Sequence, residues 1–600
     1  MMGPRPNNFS MLESTARSAK HSPAGAIGGH IHNAQIADLF NRYAVLLEMQ
    51  GANPFRVRAY HNAARTLENL PRDINMLIGE GFDLTELPGI GEDLAGKIST
   101  IAATGRFLPL EQIKKKLPGG LAELAELPGL GPKKTQILFR KLKIATVPAL
   151  LAAARSGRLQ KLKGFGPKTE ANIIKAASRF AAAGKRLRLS TAEQVALPLL
   201  TYLKTVPGIK KAEIAGSFRR RRETVGDIDV LVTCAPDADP IGAFVAYPEV
   251  AEVTAKGTTR ATVRLKSGLQ VDLRLVPERS YGAALIYFTG SKAHNIALRA
   301  IAMKQGLKFN EYGVFRGERW LAGRTEAEVY TKAKLPYIEP ELRENSGELE
   351  AARENRLPHL VSLSNIRGDL HAHTKASDGD ASIEEMAAGA RNLGYQYLAI
   401  TDHTEHVGIV HGLDHRRLAQ QMAAIDKLNA KFHGFRLLKS AEVDILPDGK
   451  LAIDPGIARE LDIVVAAVHT GFGSSAARQT DRLLRAMDHP FVNIIAHPTG
   501  RLLSERDPYP LDMQRVMEGA IQRGCFLEAN AQPSRLDLND IHCRMAKDLG
   551  LKLVISTDAH SVETLSYMRF GVDQARRGWL EAGDILNTKS LAGLIKALRR

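Results

Sequence analysis

Two aspartates stand two residues apart in a stretch whose pattern predicts a β-strand. Residues 227–232 read Asp-Ile-Asp-Val-Leu-Val, and because successive side chains of a strand point to opposite faces, Asp227 and Asp229 share one face. Neighbouring carboxylates repel each other unless a proton or a cation lies between them, and Mg²⁺ is held by one or two carboxylates together with substrate phosphates. The pair therefore indicates a metal–nucleotide partner.

A third acid lies on a second alternating stretch, residues 269–275, where Asp272 shares the polar face with Gln270 and Arg274. Three carboxylates would hold two metals about 3.5–4 Å apart, the arrangement used for phosphoryl transfer. Ahead of the pair, the Gly216-Ser217 turn and the arginine run 219–222 offer donors to phosphate oxygens. A single Asp-x-Asp is more typical of a solvated face, but the ordered set predicts a nucleotidyl-transfer site.

Length and composition predict several domains in a soluble protein. The chain has 600 residues, of which 44% are hydrophobic, and its net charge of +17 comes from residues 1–345, whereas residues 346–600 are near neutral. A basic half indicates a polyanion partner, although binding to ribosomes or to a membrane surface would give the same charge. The three cysteines are scattered, and neither a long apolar run nor a signal peptide is evident, so we expect a cytoplasmic protein that does not bind membranes.

Three similar glycine motifs lie in the basic half, at residues 87–91, 127–131 and 162–166, each before a helical pattern. The first glycine of each motif allows a tight turn, and the second lets backbone N–H groups approach a phosphate at a helix N-terminus. One copy alone would fit a plain turn between helices. Three copies predict helix-hairpin-helix units that grip a nucleic-acid backbone without reading its sequence. The glycines expected at the DNA are Gly89, Gly91, Gly129, Gly131, Gly164 and Gly166.

Histidines and acids mark the second half of the chain. Seven short apolar runs, at about 366–371, 395–401, 435–441, 462–468, 491–496, 525–529 and 551–556, alternate with helical patterns. This alternation predicts a parallel sheet or barrel whose active site collects at the carboxyl ends of the strands. One histidine at a strand end is ordinarily structural, but ligand-type residues follow six of the seven runs. Together they could hold three divalent ions that activate water for phosphoester hydrolysis.

The first half resembles the family X DNA polymerases. The matching motifs are Gly-Ser-Phe-Arg-Arg at 216–220, Gly-Asp-Ile-Asp at 226–229, Tyr-Phe-Thr-Gly-Ser at 287–291 and Leu-Pro-Tyr at 335–337. The resemblance implies that Asp227, Asp229 and Asp272 are catalytic and bind two Mg²⁺ or Mn²⁺ ions. It also implies a nucleotide site made of Gly216, Ser217, Arg220, Gly226, Tyr287, Phe288, Gly290 and Asn295, with Arg188 as a looser match. Arg274 and Arg299 are expected at the DNA.

The second half resembles the polymerase and histidinol phosphatase (PHP) domain. The motifs Asp-Leu-His-Ala-His-Thr at 369–374, Thr-Asp-His at 401–403 and Ser-Thr-Asp-Ala-His at 556–560 stand in family order. The resemblance implies up to three Mn²⁺, Zn²⁺ or Fe ions. The implied ligands are His371, His373, Asp378, His403, Glu442, His469, His497, Asp558 and His560.

Lys97 matches the family lysine that forms a Schiff base with a 5′-deoxyribose phosphate. A solvated helix lysine is the alternative, and Asp93 stands where animal relatives carry a phosphate-binding lysine. The resemblance also implies that Arg56 and Tyr60, with Lys97, bind a downstream 5′-phosphate.

We therefore predict a multidomain α/β protein with a helical helix-hairpin-helix region, a nucleotidyltransferase palm with a thumb, and a C-terminal (β/α)7 PHP barrel. The predicted segments are a disordered tail (1–32), an N-terminal helix-hairpin-helix domain (33–110), a fingers-like helix-hairpin-helix region (111–187), the palm (188–290), the thumb (291–342), a linker (343–362) and the PHP domain (363–600).

The expected function is gap filling in DNA repair by a DNA-directed DNA polymerase. The family resemblance suggests that the second site is a 3′→5′ exonuclease that also cuts at abasic sites or removes 3′-phosphates. The expected partners are gapped or nicked duplex DNA and dNTPs, and the expected state is a monomer. The alternatives are a nucleotidyltransferase for RNA or a small molecule, a non-catalytic DNA-binding scaffold, and a small-molecule phosphatase.

Overall fold

A computed structural model describes residues 33–70, 74–115, 117–118, 120–125, 127, 130–162, 164–167, 169–174, 177, 186–406 and 411–599. The predicted tail (1–32) and Gly129 lie outside the described residues. Among the described helices, none combines the length and the apolar character needed to cross a membrane.

The N-terminal region is helical and packs around an aromatic cluster. Its helices are α1 (Asn33–Met49), α2 (Pro54–Asn69), α3 (Ile74–Gly79), α4 (Glu92–Thr104), α5 (Leu108–Lys114), α6 (Gly120–Ala125), α7 (Gly131–Leu142) and α8 (Val147–Arg155). Phe40, Tyr43, Tyr60 and Phe107 meet in edge-on and tilted ring contacts in its core. Helices α4 and α7 each begin beside the second glycine of a predicted hairpin, Gly91 and Gly131.

A mixed five-stranded sheet forms the palm. Its elements are β1 (Leu187–Arg188), α9 (Leu189–Thr205), β2 (Ile209–Ile214), α10 (Gly216–Arg219), β3 (Thr224–Val225), β4 (Asp227–Cys234), α11 (Pro240–Val245), β5 (Val250–Lys256), β6 (Arg260–Leu265) and β7 (Gln270–Leu275). The sheet order is β2-β4-β7-β6-β5, and only β4 and β7 are parallel. Ile228, Val230 and Val232 are buried, as the alternation along β4 requires.

The thumb follows as helices around a small antiparallel sheet. Its elements are α12 (Tyr281–Thr289), α13 (Lys292–Lys304), β8 (Lys308–Asn310), β9 (Gly313–Arg316), β10 (Arg319–Ala322) and α14 (Glu326–Lys332). The segment predicted as a linker is partly packed against this unit, because it contains helix α15 (Glu348–Arg353) and the fully buried Arg343 and Glu348. Arg343 pairs with Glu326, and Glu348 with His294 of α13. Ion pairing explains how such polar residues are buried.

The C-terminal half is a seven-stranded parallel barrel, as predicted. Its strands are β11 (Gly368–Asp369), β12 (Tyr397–Ile400), β13 (Arg436–Asp444), β14 (Ile463–Ala467), β15 (Val492–Ile495), β16 (Phe526–Asn530) and β17 (Leu553–Ser556), hydrogen-bonded in chain order. Its helices are α16 (Ile383–Asn392), α17 (His415–Asn429), α18 (Pro455–Ala458), α19 (Ala476–Met487), α20 (Met513–Arg523), α21 (Asp540–Leu549), α22 (Met568–Arg577) and α23 (Leu591–Leu598). A parallel bridge between Ala372 and Ala559 brings the first strand beside the last.

The palm and the barrel share an apolar contact. Leu503, Leu536, Tyr567 and Phe570 of the barrel belong to the same buried cluster as the palm core. Charged pairs surround this contact, including Arg501 with Glu223 at 2.8 Å. The two halves therefore meet through a core and not through surface charges alone.

Candidate functional sites

The three palm aspartates lie on two neighbouring strands. Asp229 of β4 and Asp272 of β7 are paired in register, and Asp227 is opposite Gln270. Asp227 is exposed, Asp229 is half-buried and Asp272 is buried. The structure therefore places the predicted carboxylates on neighbouring positions of one face of the palm sheet.

The charges at this point are not balanced. Burial, followed by repulsion from Asp227 and Asp272, raises the pKa of Asp229 to about 7. Burial would also raise the pKa of Asp272, but hydrogen bonds from Thr262, Gln270 and Arg260 outweigh it and lower that pKa. A bound cation would relieve the repulsion on Asp229, so the side chains fit the divalent ions expected here.

Asp272 is held by three donors. Thr262 Oγ1 lies 2.6 Å and Arg260 Nη2 3.0 Å from its Oδ1, and Gln270 Nε2 lies 2.8 Å from its Oδ2. Thr262 and Arg260 belong to β6, which the sequence interpretation did not connect with the site. The alternation Arg260-x-Thr262-x-Arg264 on that strand carried the signal, because it places these polar side chains on one face.

Gly216 lies against the carboxylate of Asp229. Its φ is +64°, and a Cβ there would lie 2.7 Å from Asp229 Oδ2, so both the backbone conformation and the space demand glycine. Ser217 follows in the short helix α10. Gly226 precedes β4, where a Cβ would lie 2.9 Å from Arg186 Nη1. These residues adjoin the aspartates, as a phosphate-binding turn must.

The predicted nucleotide pocket is built on α12 and α13. Tyr287 and Phe288 are in edge-on contact, and Asn295 Nδ2 donates to the Tyr287 carbonyl at 2.7 Å. Gly290 ends α12 with φ +71°. Arg274 lies 4.5 Å from the Phe288 ring centre and Arg299 lies 5.9 Å from that of Tyr287, so both predicted DNA-binding arginines stand beside the pocket.

The arginines of the run 219–222 pair with different residues. Arg219 pairs with Glu213 and Glu326, whereas Arg220 bonds Glu344 and the Thr289 carbonyl at the pocket. Arg188, the looser phosphate candidate, pairs with Glu505 of the barrel.

All nine predicted ligands of the barrel gather at the carboxyl ends of its strands. Three sets have ligand atoms within 4.8 Å of one another: His373, Asp378, His403 and His560; His371, His373 and Asp558; and His403, Glu442 and His469. The ninth, His497, places Nε2 3.0 Å from Glu442 Oε1. Donor sets of this composition suit transition-metal ions or Zn²⁺.

Buried ring nitrogens in this cluster also fit metal ligation. His371 Nε2, both ring nitrogens of His373 and His403 Nδ1 are buried and make no hydrogen bond of good geometry, although carboxylate oxygens lie 3.0–3.6 Å from them. Such groups are costly to bury unless a ligand completes them. On the outer side, His371 Nδ1 lies 2.8 Å from Glu528 and His469 Nδ1 lies 2.9 Å from Asp444, contacts that orient the rings.

Proton affinities in the barrel cluster depend on the opposing charges. Burial lowers the pKa of His373 and of His497, whereas the carboxylates overcome burial and raise the pKa of His469 to about 10 and that of His560 to about 9. Burial would raise the pKa of Asp378 and Glu442, but the imidazoles lower both. Without metals, protons on histidines balance the carboxylates.

Several supporting residues were missed by the sequence interpretation. Glu528 and Asn530 lie on β16, the strand to which no ligand was assigned, and Asn530 Nδ2 lies 3.1 Å from Asp558. Arg535 Nε lies 3.4 Å from Asp558 Oδ2. The position of Glu528 near a strand end was the available signal.

Lys97 lies on α4 in a cavity of about 360 Å³ that also includes Asp93 and Arg106. It forms an ion pair with Asp93 and lies 5.8 Å from the Tyr60 ring centre. Burial lowers the pKa of Lys97, but hydrogen bonds to Asp93 and Tyr60 outweigh it and the pKa is raised. Tyr60 is 2% exposed, and Arg56 Nη2 donates to Tyr43 at 3.1 Å.

The described hairpin glycines lie in turns or, in the case of Gly131, at the first residue of a helix. Gly89, Gly131 and Gly164 have positive φ, and Gly91 and Gly166 precede helical residues. The predicted Gly129 contact remains outside the described residues.

Four family models match the chain. They are a helix-hairpin-helix domain at residues 31–107, a SAM-like helix-hairpin-helix tandem at 121–179, the DNA polymerase beta thumb at 284–344 and the PHP domain at 369–499.

Curated relatives match either nearly the whole chain or a part of it. The DNA polymerase/3′-5′ exonuclease PolX of Bacillus subtilis is 39% identical over 95% of this chain and 100% of its own length. DNA polymerase lambda of Rattus norvegicus is 25% identical over 52% of this chain and 56% of its own. A probable phosphatase of Thermoanaerobacter sp. (strain X514) is 31% identical over 32% of this chain and 78% of its own.

Proposed function

This chain belongs to the bacterial family X DNA polymerases that carry a C-terminal PHP domain, and we propose that it fills short gaps during DNA repair and trims 3′ ends at its barrel site. It is a DNA polymerase, and divalent metal ions are its cofactors. The polymerase assignment rests on one structural observation: Asp229 and Asp272 are paired in register on parallel strands.

In the polymerase site, Asp227, Asp229 and Asp272 would hold two Mg²⁺ or Mn²⁺ ions, which neutralise charge on the reacting phosphate. Asp272 would lie near the primer 3′-hydroxyl, whose oxygen bonds to the α-phosphorus as pyrophosphate leaves. The lowered pKa of Asp272 keeps it ionised, ready to accept the hydroxyl proton.

The triphosphate would lie along Gly216, Ser217 and Arg220, next to the pocket formed by Tyr287, Phe288, Gly290 and Asn295. This placement is supported by the Arg220 contact with the Thr289 carbonyl at the pocket edge. Arg188 forms an ion pair with Glu505, so it would influence the triphosphate through its charge and not by direct contact.

The helix-hairpin-helix units would grip the DNA flanking the gap, while Arg56 and Lys97, with Tyr60, would bind the downstream 5′-phosphate. The ion pair between Asp93 and Lys97 disfavours Schiff-base formation, because a protonated amine is not a nucleophile. The substrate is a gapped or nicked duplex with dNTPs, bound by a monomer.

In the barrel, the nine ligands would hold up to three Mn²⁺, Zn²⁺ or Fe ions, which supply an activated water and charge for phosphoester hydrolysis. Glu528 and Asp444, which bond the outer ring nitrogens of His371 and His469, would keep these imidazoles in their ligating orientation. The proposed reaction is 3′→5′ exonucleolytic cleavage, and the same site would act at abasic sites or on 3′-phosphates.

One assay tests both parts. Purified protein is incubated with a one-nucleotide-gapped duplex, Mn²⁺ and dNTPs, and growth and shortening of the primer are scored together. Asp229→Ala should abolish growth and retain DNA binding and shortening. The double variant His371→Ala with Asp558→Ala should abolish shortening and retain growth. Extension at the normal rate by Asp229→Ala, or shortening by the double variant, would refute the corresponding assignment, and binding without turnover would favour a scaffold.

A further inference from the structure

Glu344, just after the predicted thumb, lies beside three arginines. Its Oε1 lies 3.1 Å from Arg220 Nε, 3.1 Å from Arg577 Nη1 and 3.5 Å from Arg222 Nη1. Arg220 and Arg222 belong to the palm, whereas Arg577 is the last residue of α22 in the PHP barrel. A residue of the second half thus shares a partner with the predicted triphosphate ligand.

Arg577 also touches Arg220 directly. Its Nη1 donates to the Arg220 carbonyl at 2.7 Å, and its Nη2 lies 2.5 Å from Asp540 Oδ2. The Arg577 side chain is 2% exposed. A guanidinium this buried, bonded to three acceptors, is a fixed part of the structure.

The cluster holds three guanidinium groups beside two carboxylates, those of Glu344 and Asp540. Arg222 is 44% exposed, so water solvates its charge, whereas Arg220 is 13% and Arg577 2% exposed. Burial and the neighbouring arginines lower the pKa of Arg220, so an anion beside it would be favourable, which agrees with a triphosphate there.

Arg220 is also pressed against the nucleotide pocket. Its Nη1 donates to the Thr289 carbonyl, and a Cβ on Gly290 would lie 3.1 Å from the same atom. These contacts use Nε and Nη1 and leave Nη2 for a further acceptor. Glu344 on one side and the pocket backbone on the other fix where Arg220 points.

The next residue ties this arrangement to α22 a second time. Arg221 has φ +55°, a left-handed backbone that non-glycine residues seldom adopt. Its guanidinium lies 2.6 Å from Asp573 of α22 and 2.7 Å from Glu193 of α9. Arg569, one helix turn before Asp573, reaches the other oxygen of Glu193 at 2.5 Å. The turn after Arg220 is therefore held by the barrel.

We propose that helix α22 of the PHP domain is part of the polymerase's nucleotide site, with Arg577 and Glu344 acting as positioning residues that aim Arg220 at the triphosphate. This inference rests on the proposed function, in which Arg220 contacts the triphosphate. Arg577 itself touches no substrate and acts only through Arg220 and Glu344.

The test is steady-state dNTP incorporation on a gapped duplex by Arg577→Gln, which removes the charge and keeps much of the volume. We expect KM for the dNTP to rise about tenfold while kcat changes less than about threefold. The substitution loosens the position of Arg220, the proposed triphosphate-binding residue, and leaves the palm aspartates untouched. Shortening of 3′ ends by the same preparation should be unchanged.

Arg576→Gln is the matched control. Arg576 precedes Arg577 on α22 and pairs with Glu341 at 2.7 Å and the Val361 carbonyl at 3.1 Å, contacts that do not involve Arg220 or Glu344. The KM of the Arg576→Gln variant for the dNTP should stay at the wild-type value. Glu344→Gln should reproduce the Arg577→Gln effect, and the double variant should be no worse than the stronger single one, because both act on one contact.

The outcomes separate the two claims. A normal KM in Arg220→Ala would contradict the proposed triphosphate site. A raised KM in Arg220→Ala with a normal KM in Arg577→Gln, or an equal rise in Arg576→Gln, would overturn the positioning role alone. Should Arg577→Gln fail to fold, Glu344→Gln decides by the same measurement, because it changes no residue of the barrel.

Discussion

Asp229 and Asp272 are paired in register on the parallel strands β4 and β7, close enough for Asp272 to raise the pKa of Asp229 by charge repulsion. Their environments differ: Asp272 has three hydrogen-bond donors, whereas Asp229 has its pKa raised to about 7 by burial and by its acidic neighbours. The site is therefore under electrostatic stress that a divalent cation removes.

This stress predicts a pH-dependent gain in stability for Asp229→Asn. A carboxyl whose pKa is higher in the folded state favours folding when protonated, and stability falls as pH rises from its usual 3.8 to about 7. The rise corresponds to at most about 4 kcal/mol. In chelator, Asp229→Asn should melt at a higher temperature than the normal protein at pH 8 and at a similar one near pH 4. A lower Tm at pH 8 would contradict the charge repulsion.

Thr262 should matter to catalysis although it binds no substrate. Thr262→Val keeps the shape and removes the 2.6 Å hydrogen bond to Asp272 Oδ1. We expect primer extension to slow about tenfold, because one hydrogen bond to a charged group orients and ionises Asp272. Thr233→Val, a buried threonine on β4 away from the aspartates, is the control and should extend normally. Equal rates in both variants would remove Thr262 from the site.

Metal loading of the barrel should depend steeply on pH. His469 and His560 have pKa values raised to about 10 and about 9, so in chelator their contribution to stability is present below about pH 6.5 and is lost as pH rises through 9 to 10. Because ions bind neutral imidazole, Mn²⁺ should release protons and raise Tm more at pH 9 than at pH 6.5. Calorimetry in buffers of different ionisation enthalpy measures the protons, and a pH-independent Mn²⁺ effect would contradict the coupling.

Arg535 should affect the barrel reaction and spare the polymerase. Its guanidinium lies 3.4 Å from Asp558 and is partly exposed, so we expect it to be able to contact an anionic phosphodiester bound at the ligand cluster. Arg535→Ala should raise KM for 3′-end shortening about tenfold, as expected for loss of a charge-assisted contact. Arg523→Ala, whose partner Asp488 lies outside the ligand cluster, is the control. Normal shortening by Arg535→Ala would exclude the role.

Lys97 should give no covalent adduct. Its amine is paired with Asp93 and its pKa is raised, so it stays protonated at neutral pH. Borohydride trapping on a 5′-deoxyribose-phosphate end should therefore leave the normal protein unmodified, and Lys97→Ala should instead weaken binding of a 5′-phosphorylated gap. A trapped adduct lost in Lys97→Ala would establish lyase chemistry.

Local pattern was enough to predict the barrel. Strands such as Tyr397–Ile400 and Ile463–Ala467 are continuous apolar runs, and ligands such as His371 or Asp558 lie within two residues of a strand end, so periodicity and order place them at one rim. The palm aspartates were predictable for the same reason, because alternation along β4 and β7 fixes which side chains share a face.

Long-range partners were not predictable in this way. Arg221 and Asp573 lie 352 residues apart, and nothing near either residue signals the other. The charged composition of residues 343–362 suggested a linker, but pairing with partners elsewhere allowed Arg343 and Glu348 to be buried. Composition alone cannot distinguish a solvated charge from a paired one.

The apolar contact that Leu503, Leu536, Tyr567 and Phe570 make with the palm limits how this protein can lose one of its activities during evolution. A deletion that removed the barrel would strip these side chains from the palm and leave Glu193 and Arg221 without their partners on α22. The truncated protein would be prone to aggregate, because it would expose the apolar surface of the palm that the barrel covers. We therefore expect related proteins that have lost one activity to have lost it by single substitutions at metal ligands. The inactive half would be kept because it stabilises the active one.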